Sequence, residues 1–158
     1  MIQQLHERDL RVICEVVNQA ARAYEGVIPD DCYHEPYMPL EELGREMSKM
    51  VFFGRGEGSE IAGVIGFQAV KDVTLVRHAY VLPDYQRKGI GSELLNHVKQ
   101  RMKTKRLLVG TWADAKWAIQ FYQRHGFELM AEKDELLKKY WDVPERQIET
   151  SVVLGLET

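Results

Sequence analysis

Hydrophobic positions near the start of the chain recur every three or four residues, which is the spacing of a helix with one buried face. A short stretch, Ile2–Leu5, precedes this pattern and is predicted to be a first strand. Asp9 can cap the helix, its apolar positions run over Leu10–Ala21, and Gly26 is expected to end it. A second helix of the same kind is predicted over residues 40–50. The chain therefore opens with one strand and two amphipathic helices.

The stretch between the two predicted helices, residues 27–39, follows neither helical nor strand periodicity. Three prolines interrupt it, namely Pro29, Pro36 and Pro39. Because proline lacks a backbone donor and blocks a continuous helix, we expect a loop or a broken helix that runs over a surface.

From residue 51 the hydrophobic pattern changes to the period of two that strands show. Residues 51–53 and 61–70 are predicted to form a hairpin, with a turn at residues 54–59. A tight turn at residues 71–72 then leads to a third strand over residues 73–82. Since their connections are short, these strands should pair antiparallel.

The second half of the chain alternates helices and strands. A helix is predicted over residues 89–102, followed by the apolar stretch 107–109, which suits a central strand of a parallel pair. The next helix, residues 115–125, is expected to turn one side inward, and Gly126 suits its C-terminal cap. The residues expected on that side are Trp117, Ala118, Phe121 and Tyr122.

The last two predicted strands cover residues 127–131 and 148–156, with a charged helix between them. This order of elements indicates an α/β fold with a mixed α+β sheet: antiparallel strands come first, and a strand-helix-strand-helix unit follows. We expect about seven strands and four to five helices in a single domain over residues 1–158. Ligands of such sheets favour the carboxyl ends of the strands, which here means the loop at residues 82–91.

Composition narrows the class of protein. Of the 158 residues, 45% are hydrophobic and 28% are charged, which is ordinary for a globular domain and too apolar for a disordered chain. A net charge of −3 gives no general attraction to nucleic acid. No apolar run is long enough to span a bilayer and the first residues lack a secretion signal, so we expect a cytoplasmic protein without membrane contact. Cys14 and Cys32 show neither metal-ligand nor CxxC spacing, and no metal is expected.

Two glycines, Gly89 and Gly91, open a predicted helix directly after the third strand of the hairpin region. Glycine lets the backbone turn tightly and lets a ligand approach closely. The start of a helix offers unpaired N–H groups and the positive end of the helix dipole, which suit a pyrophosphate. Arg87 and Lys88 add positive charge at this point. A strand-to-helix turn without a ligand is the alternative.

Three kinds of phosphate-binding loop compete for this stretch. A dinucleotide fingerprint needs a third glycine where Leu94 stands, and a nucleotide P-loop needs a lysine between Gly91 and Ser92. The third pattern, Gln/Arg-x-x-Gly-x-Gly/Ala, is complete over residues 86–91. This stretch resembles the acetyl-CoA loop of the GNAT superfamily of N-acetyltransferases.

Two further segments resemble the same superfamily. Residues 79–83 are similar to its fourth strand, whose splayed end binds the pantetheine arm, and residues 118–127 are similar to its Ala-x-x-Phe-Tyr-x-x-x-Gly-Phe segment. The order of elements matches over nearly the whole chain. One position departs, because many members carry asparagine where this chain has Ala115. Asp114 or Lys116 would have to replace the lost side-chain contact with the pantetheine arm.

The resemblance implies transfer of an acetyl group from acetyl-CoA to a primary amine by direct attack in a ternary complex. A backbone N–H near Val81 would polarise the thioester carbonyl. The partner would be a small-molecule or peptide amine rather than a nucleic acid, and a homodimer stays open. A non-catalytic CoA-binding or regulatory module is the alternative from another class. The expected CoA-binding residues are Val81, Leu82, Gln86, Arg87, Lys88, Gly89, Ile90, Gly91 and Ser92.

Two residues are candidates for proton transfer. In the family the tyrosine at the position of Tyr122 often protonates the departing thiolate, although Tyr122 could equally be a core aromatic residue. His78 could accept the proton of the amine or could be a structural histidine. Leu75 occupies the position where some members of the family carry a glutamate that acts as the general base. Strand alternation would place His78 and Tyr80 on one face and Arg77 on the other.

Aromatic side chains in and around residues 27–39 are candidates for the acceptor site. This region lines the acceptor site in the family, so the side chains resemble an acceptor-binding lid, although tyrosines could equally cover apolar surface. The expected acceptor-binding residues are Tyr24, Tyr33, His34, Tyr37 and Tyr80. A basic run over residues 99–106 is typical of a solvated surface.

Overall fold

The structure is a computed structural model that describes residues 1–157. It contains a seven-stranded sheet in the order β1-β2-β3-β4-β5-β7-β6, in which most neighbouring strands are antiparallel and one pair is parallel. The strands are β1 (Ile2–Leu5), β2 (Val51–Glu57), β3 (Glu60–Val70), β4 (Val73–Val81), β5 (Arg106–Trp112), β6 (Glu128–Leu129) and β7 (Ser151–Glu157). The α-helices are α1 (Leu10–Ala21), α2 (Leu40–Met47), α3 (Ile90–Lys99), α4 (Lys116–Arg124), α5 (Lys133–Tyr140) and α6 (Glu145–Thr150). The predicted α/β class and the seven strands are confirmed, and the described residues form six α-helices rather than four or five.

The chain divides into two compact units. The N-terminal unit contains residues 1–23, 34–68 and 76–102, and the C-terminal unit contains residues 24–33, 69–75 and the chain from Lys103 onward. Strand β4 contributes its first three residues to the C-terminal unit and the rest to the N-terminal unit. Each unit has its own apolar core.

The core of the N-terminal unit lies between the two amphipathic helices and the first three strands. Ile13 and Val17 of α1 and Leu43 of α2 are fully buried in it, together with Phe52 of β2 and Val64 of β3. The helical spacing of the sequence therefore identified the buried faces of α1 and α2 correctly. Burial of this apolar surface fixes both helices against the strands.

Strand β2 is longer than the sequence pattern predicted. Gly54 was expected in a turn, but it lies within the strand, where a Cβ would come within 2.8 Å of Cδ1 of Leu5 on the neighbouring strand. Glycine is required there because β1 packs so closely, and the pattern alone does not reveal that reason. The real turn is shorter and consists of Gly58, with φ of +59°, and Ser59.

In the C-terminal unit, β5 and β7 pair antiparallel along their whole length, and both contribute buried residues to the core. The predicted last strand, residues 148–156, begins too early. Pro144 precedes a short helix, α6, whose Ile148 is buried in the core, and β7 begins only at Ser151. Proline suits the start of a helix because its missing N–H has no helical partner there. Residues 127–131 were predicted as a strand, and only the two residues of β6 are extended and paired.

The buried side of helix α4 overlaps only in part with the side predicted, because Tyr122 is buried as expected but Trp117 is not. Ile119 and Tyr122 are its buried residues, whereas Trp117 is 45% exposed. Successive helical residues are about 100° apart, so Trp117 points about 140° away from Tyr122 and cannot share the centre of one face with it. Gly126 follows the helix with φ of +91°, which confirms the predicted glycine cap.

Candidate functional site

Strand β4 is interrupted in its middle by a left-handed residue. His78 has φ of +52°, which reverses the local backbone and breaks the alternation of side chains that a regular strand shows. As a result Arg77 and His78 reach the same carboxylate oxygen of Glu46, at 2.8 Å from Nη2 and 3.1 Å from Nε2. The expected placement of Arg77 and His78 on opposite faces is therefore wrong.

Glu46 of α2 is a functional candidate that the sequence reasoning missed. Its side chain is only 16% exposed and lies between Arg77 and His78, which are also mostly buried. Burial by itself raises the pKa of Glu46, but the hydrogen bond from His78 and the positive charges nearby outweigh it, so the pKa is lowered. A signal was present in the sequence, because Glu46 lies three residues after the buried Leu43 and thus borders the inward face of α2.

After the short turn that follows β4, residues 86–89 are all exposed and correspond to the stretch predicted as a phosphate loop. The Gln86 carboxamide donates to the carbonyl of Val81 over 3.1 Å, which ties the loop back to the end of the strand. In the turn just before the loop, the hydroxyl of Tyr85 donates to Glu60 over 2.9 Å. The ammonium of Lys88 lies 5.3 Å from the centre of the Tyr85 ring. The beginning of the loop is thus held by named contacts.

The backbone of the loop is left-handed at two positions, Arg87 with φ of +66° and Gly89 with φ of +81°. Gly89 is the N-cap residue of α3, and no side chain caps the helix there. The first N–H groups of a helix have no intrahelical partner, so this uncapped end, with exposed cationic side chains beside it, can bind the oxygens of a pyrophosphate.

The other expected CoA-binding residues lie around the same loop. Leu82 is buried in the core of the N-terminal unit, and its N–H donates to the carbonyl of Ala62 over 2.8 Å. Ile90 is buried as the first residue of α3, and Gly91 and Ser92 follow it in the first helical turn. The nine expected residues therefore lie between the end of β4 and the first turn of α3, with the exposed residues in the middle.

A carboxylate also lies in the first turn of α3. Glu93 is paired with Arg55 of β2, whose Nε is 2.6 Å from the carboxylate oxygen. The side chain of Arg55 is 18% exposed and also pairs with Glu57. This ion pair offsets a negative charge that would otherwise oppose an anion at the start of the helix.

Tyr122 lies in the C-terminal unit and is 6% exposed. Its ring packs against Phe127 at a centroid distance of 5.4 Å, and among residues 1–157 its hydroxyl has no hydrogen-bond partner. Burial, with a smaller effect of Tyr24, raises the pKa of this phenol, so it carries its proton at neutral pH. A neutral, unpartnered hydroxyl is the form that a proton donor requires.

The residues expected to bind the acceptor are divided between the two units. In the N-terminal unit, Tyr37 and Tyr80 pack against the core, and His34 is exposed with its ring 6.4 Å from that of Tyr37. In the C-terminal unit, Tyr24 is buried and stacks on Trp117 at 5.9 Å. Tyr33, also in the C-terminal unit, is half-buried.

The segment that carries these aromatic residues is irregular, as predicted. It contains a 3₁₀ turn at Asp30–Cys32 and otherwise no regular structure up to α2. Asn18 of α1 holds its end, because the Asn18 carboxamide accepts from the N–H of Met38 over 2.7 Å and donates to the carbonyl of Met38 over 3.0 Å. The backbone beside Tyr37 is thereby fixed to α1.

The geometry agrees with a comparison against protein families. Residues 49–129, more than half of the chain, match the model described as the acetyltransferase (GNAT) domain. The chain belongs to the GNAT acetyltransferase family. The matched region contains the phosphate loop, His78 and Tyr122, and the family assignment makes the protein an acetyltransferase.

Solved structures show that this acetyltransferase has the fold of other GNAT proteins. The PaiA N-acetyltransferase of Thermoplasma acidophilum, in complex with coenzyme A, has a TM-score of 0.77 at 19% identity, covering 100% of this chain and 98% of that one. The ribosomal-protein-S18-alanine N-acetyltransferase of Escherichia coli has a TM-score of 0.72 at 19% identity, covering 99% and 92%. A GNAT family acetyltransferase of Elizabethkingia anophelis with acetyl-CoA bound has a TM-score of 0.60 at 24% identity, covering 75% and 82%. A search of curated proteins finds no match.

Three further observations concern the acetyltransferase as a whole. Ala115, at the position where many members of the family carry asparagine, is fully buried immediately before α4. Within the described part of the chain, no helix is long and apolar enough to cross a membrane. Over the same residues, no group of three or more His, Cys, Asp or Glu side chains is arranged to hold a metal ion.

Proposed function

We propose that this acetyltransferase, acting as a single domain over residues 1–158, transfers the acetyl group of acetyl-CoA to a primary amine. The observation that carries the proposal is the exposed loop before α3, with left-handed residues at Arg87 and Gly89 and an uncapped helix start. A pyrophosphate bound there accepts from backbone N–H groups and lies beside Arg87 and Lys88. The acceptor is a small molecule or a peptide with a free amine.

The chemistry proposed is direct attack in a ternary complex. The neutral amine attacks the thioester carbonyl, and a backbone N–H near Val81 stabilises the negative charge that develops on the carbonyl oxygen. When the intermediate collapses, the carbon–sulfur bond breaks, and the thiolate leaves and takes a proton from the hydroxyl of Tyr122. The amide nitrogen gives up its extra proton, which returns through water to the Tyr122 phenolate. His78 takes the proton that the ammonium form of the acceptor loses before attack.

The acceptor is proposed to bind to the aromatic residues between α1 and α2 and to Tyr80 of β4. Tyr37 and His34 support this role, because they are adjacent, partly or wholly exposed, and lie beside backbone that Asn18 holds in place. A site built from tyrosine and histidine side chains suits an amine through hydrogen bonds and contacts with ring faces. Tyr24 and Tyr33 are included in the proposal as the family's acceptor region.

The test is an acceptor screen that measures release of free thiol from acetyl-CoA. The panel contains a polyamine, an aminoglycoside, free amino acids, a peptide with an N-terminal alanine, and a peptide with an internal lysine. Turnover above the hydrolysis of acetyl-CoA alone, with a mass increase of one acetyl group on the acceptor, supports the proposal. CoA binding without transfer to any amine would favour the non-catalytic CoA-binding module instead.

A further inference from the structure

The cluster formed by Glu46, Arg77 and His78 is buried and charged, and it is the feature that the phosphate loop does not explain. We propose that Glu46 is a positioning residue, which orients the His78 imidazole so that its Nδ1 accepts the proton of the amine. The inference rests on the proposed function, because it concerns the base of that same reaction.

The hydrogen bond between Glu46 and His78 selects one form of the imidazole. Nε2 of His78 lies 3.1 Å from Glu46 Oε1, and a carboxylate only accepts, so the proton of the neutral ring is on Nε2. The lone pair is consequently on Nδ1. Among residues 1–157 the His78 side chain makes no other hydrogen bond, so Nδ1 is left to a ligand or a water molecule.

Charges around the pair decide where the proton goes. Arg77 donates to Glu46 over 2.8 Å and is itself oriented by Gln68 at 3.2 Å, and the charge of Lys49 also acts on Glu46. The hydrogen bond from His78, together with these cations, keeps the carboxylate ionised, so Glu46 does not take the proton itself. When Nδ1 accepts a proton from the ammonium, the ring becomes an imidazolium, which Glu46 stabilises directly through the Nε2 hydrogen bond. The proton then passes to water.

The rest of the environment holds the ring in one orientation. The imidazole stacks on the ring of Phe52, with centroids 6.1 Å apart and planes 14° apart, and Phe52 is fully buried in the core. The left-handed backbone at His78 aims the side chain towards α2 rather than along the regular alternation of β4. Backbone strain of this kind persists only where surrounding contacts enforce it.

His78 also lies on the strand that leads into the loop. Val81, where the thioester carbonyl is proposed to bind, lies three positions after His78, and three residues of extended chain span at most about 10 Å. That span leaves room for the acceptor amine and one water molecule, through which a base commonly acts. Tyr80, a proposed acceptor residue, lies between them on the same strand.

The experiment measures the pH dependence of kcat/KM together with an NMR titration of the His78 ring. The variants are Glu46→Gln and His78→Asn, with Glu42→Gln, an exposed glutamate on the same helix, as the matched control. Losing the carboxylate destabilises the imidazolium, so in Glu46→Gln the acidic limb of the kcat/KM profile moves to lower pH. We expect kcat to fall about 10–100-fold at the optimum, with the KM for acetyl-CoA unchanged.

Each outcome separates this inference from the proposed function. His78→Asn should remove the acidic limb that belongs to His78, and Glu42→Gln should leave the profile unchanged. An NMR shift in Glu46→Gln without any movement of the kinetic limb would show that His78 is not the base and would overturn the inference. An unchanged NMR titration would disprove the coupling itself. Absence of transfer to any amine by the wild-type protein would instead refute the proposed function, and the base assignment with it. A melting temperature within a few degrees of wild type confirms that each variant is folded.

Discussion

Replacing Gly89 is the sharpest test of the phosphate loop, because at this position the effect of backbone strain can be distinguished from the effect of a steric clash. Gly89 has φ of +81°, and a Cβ built there meets no atom within 4 Å, so any cost of alanine comes from the backbone conformation alone. A left-handed L-residue costs about 1–2 kcal/mol. If the loop of Gly89→Ala relaxes to avoid this strain, part of the binding free energy of CoA must restore the left-handed form. The Kd of CoA should therefore rise about 5–30-fold.

A charged side chain at Gly89 should do more. Two like charges about 4 Å apart near a protein surface repel by about 4 kcal/mol, so Gly89→Glu should weaken CoA binding by at least about 100-fold. Gly58 provides a matched control, because it too is exposed, has φ of +59°, and has nothing within 4 Å of a built Cβ. Gly58→Ala and Gly58→Glu should therefore cost similar stability and leave CoA affinity unchanged.

The assay is titration calorimetry with CoA, together with thermal unfolding of all four variants. Equal losses of melting temperature at the two glycines, with a loss of affinity only at Gly89, would support the loop. Asparagine tolerates the left-handed region better than alanine, so Gly89→Asn should bind CoA more tightly than Gly89→Ala. A folded Gly89→Glu variant with wild-type affinity would show that the pyrophosphate binds elsewhere.

Three further predictions follow from single side chains. Tyr122→Phe removes a hydroxyl with no hydrogen-bond partner among the described residues, so the melting temperature and CoA affinity should stay constant. If the hydroxyl is the proton donor, kcat should fall about 10²–10⁴-fold. A wild-type kcat would show that Tyr122 is only a core residue. Tyr37→Phe keeps the packing of the ring and should raise the KM of the acceptor up to about tenfold without changing the KM of acetyl-CoA. Equal changes in both KM values would contradict a role of Tyr37 in acceptor binding. Arg55→Met leaves Glu93 unpaired in the first turn of α3 and should raise the Kd of CoA about 3–10-fold at low salt. If the charge of Glu93 is the cause, adding Glu93→Gln should restore the affinity for CoA.

The sequence predicted best those features that short stretches of chain determine. The helical spacing of α1, the tight turn at residues 71–72 and the glycine-containing turn into α3 all depend on neighbouring residues, and the structure confirms them. Patterns of this kind are local, so one sequence is enough to recognise them. The family resemblance added the fold, because it combined several local motifs in their order along the chain.

Features that depend on distant contacts were missed or misassigned. Gly54 looks like a turn residue until Leu5 of the neighbouring strand is seen to occupy the place of its side chain. Glu46 looks like one more charged residue on a helix surface, and its role emerges only when β4 brings Arg77 and His78 to it. Tertiary packing decides both cases, and it overrides the local preference of each residue.

Backbone strain is concentrated in the stretch that also carries the proposed chemistry. Among residues 1–157, three non-glycine residues have a left-handed backbone. Lys71 lies in a hairpin turn, where such a conformation is common, whereas His78 and Arg87 lie in β4 and in the loop that follows it. Strain outside turns persists where contacts enforce it, and here the contacts are those of Glu46 with His78 and of Gln86 with the end of β4. This explains why asparagine is the right replacement for His78. Asparagine adopts the left-handed backbone readily, so His78→Asn removes the imidazole while preserving the shape of β4, and its loss of activity reports on the base rather than on the strand.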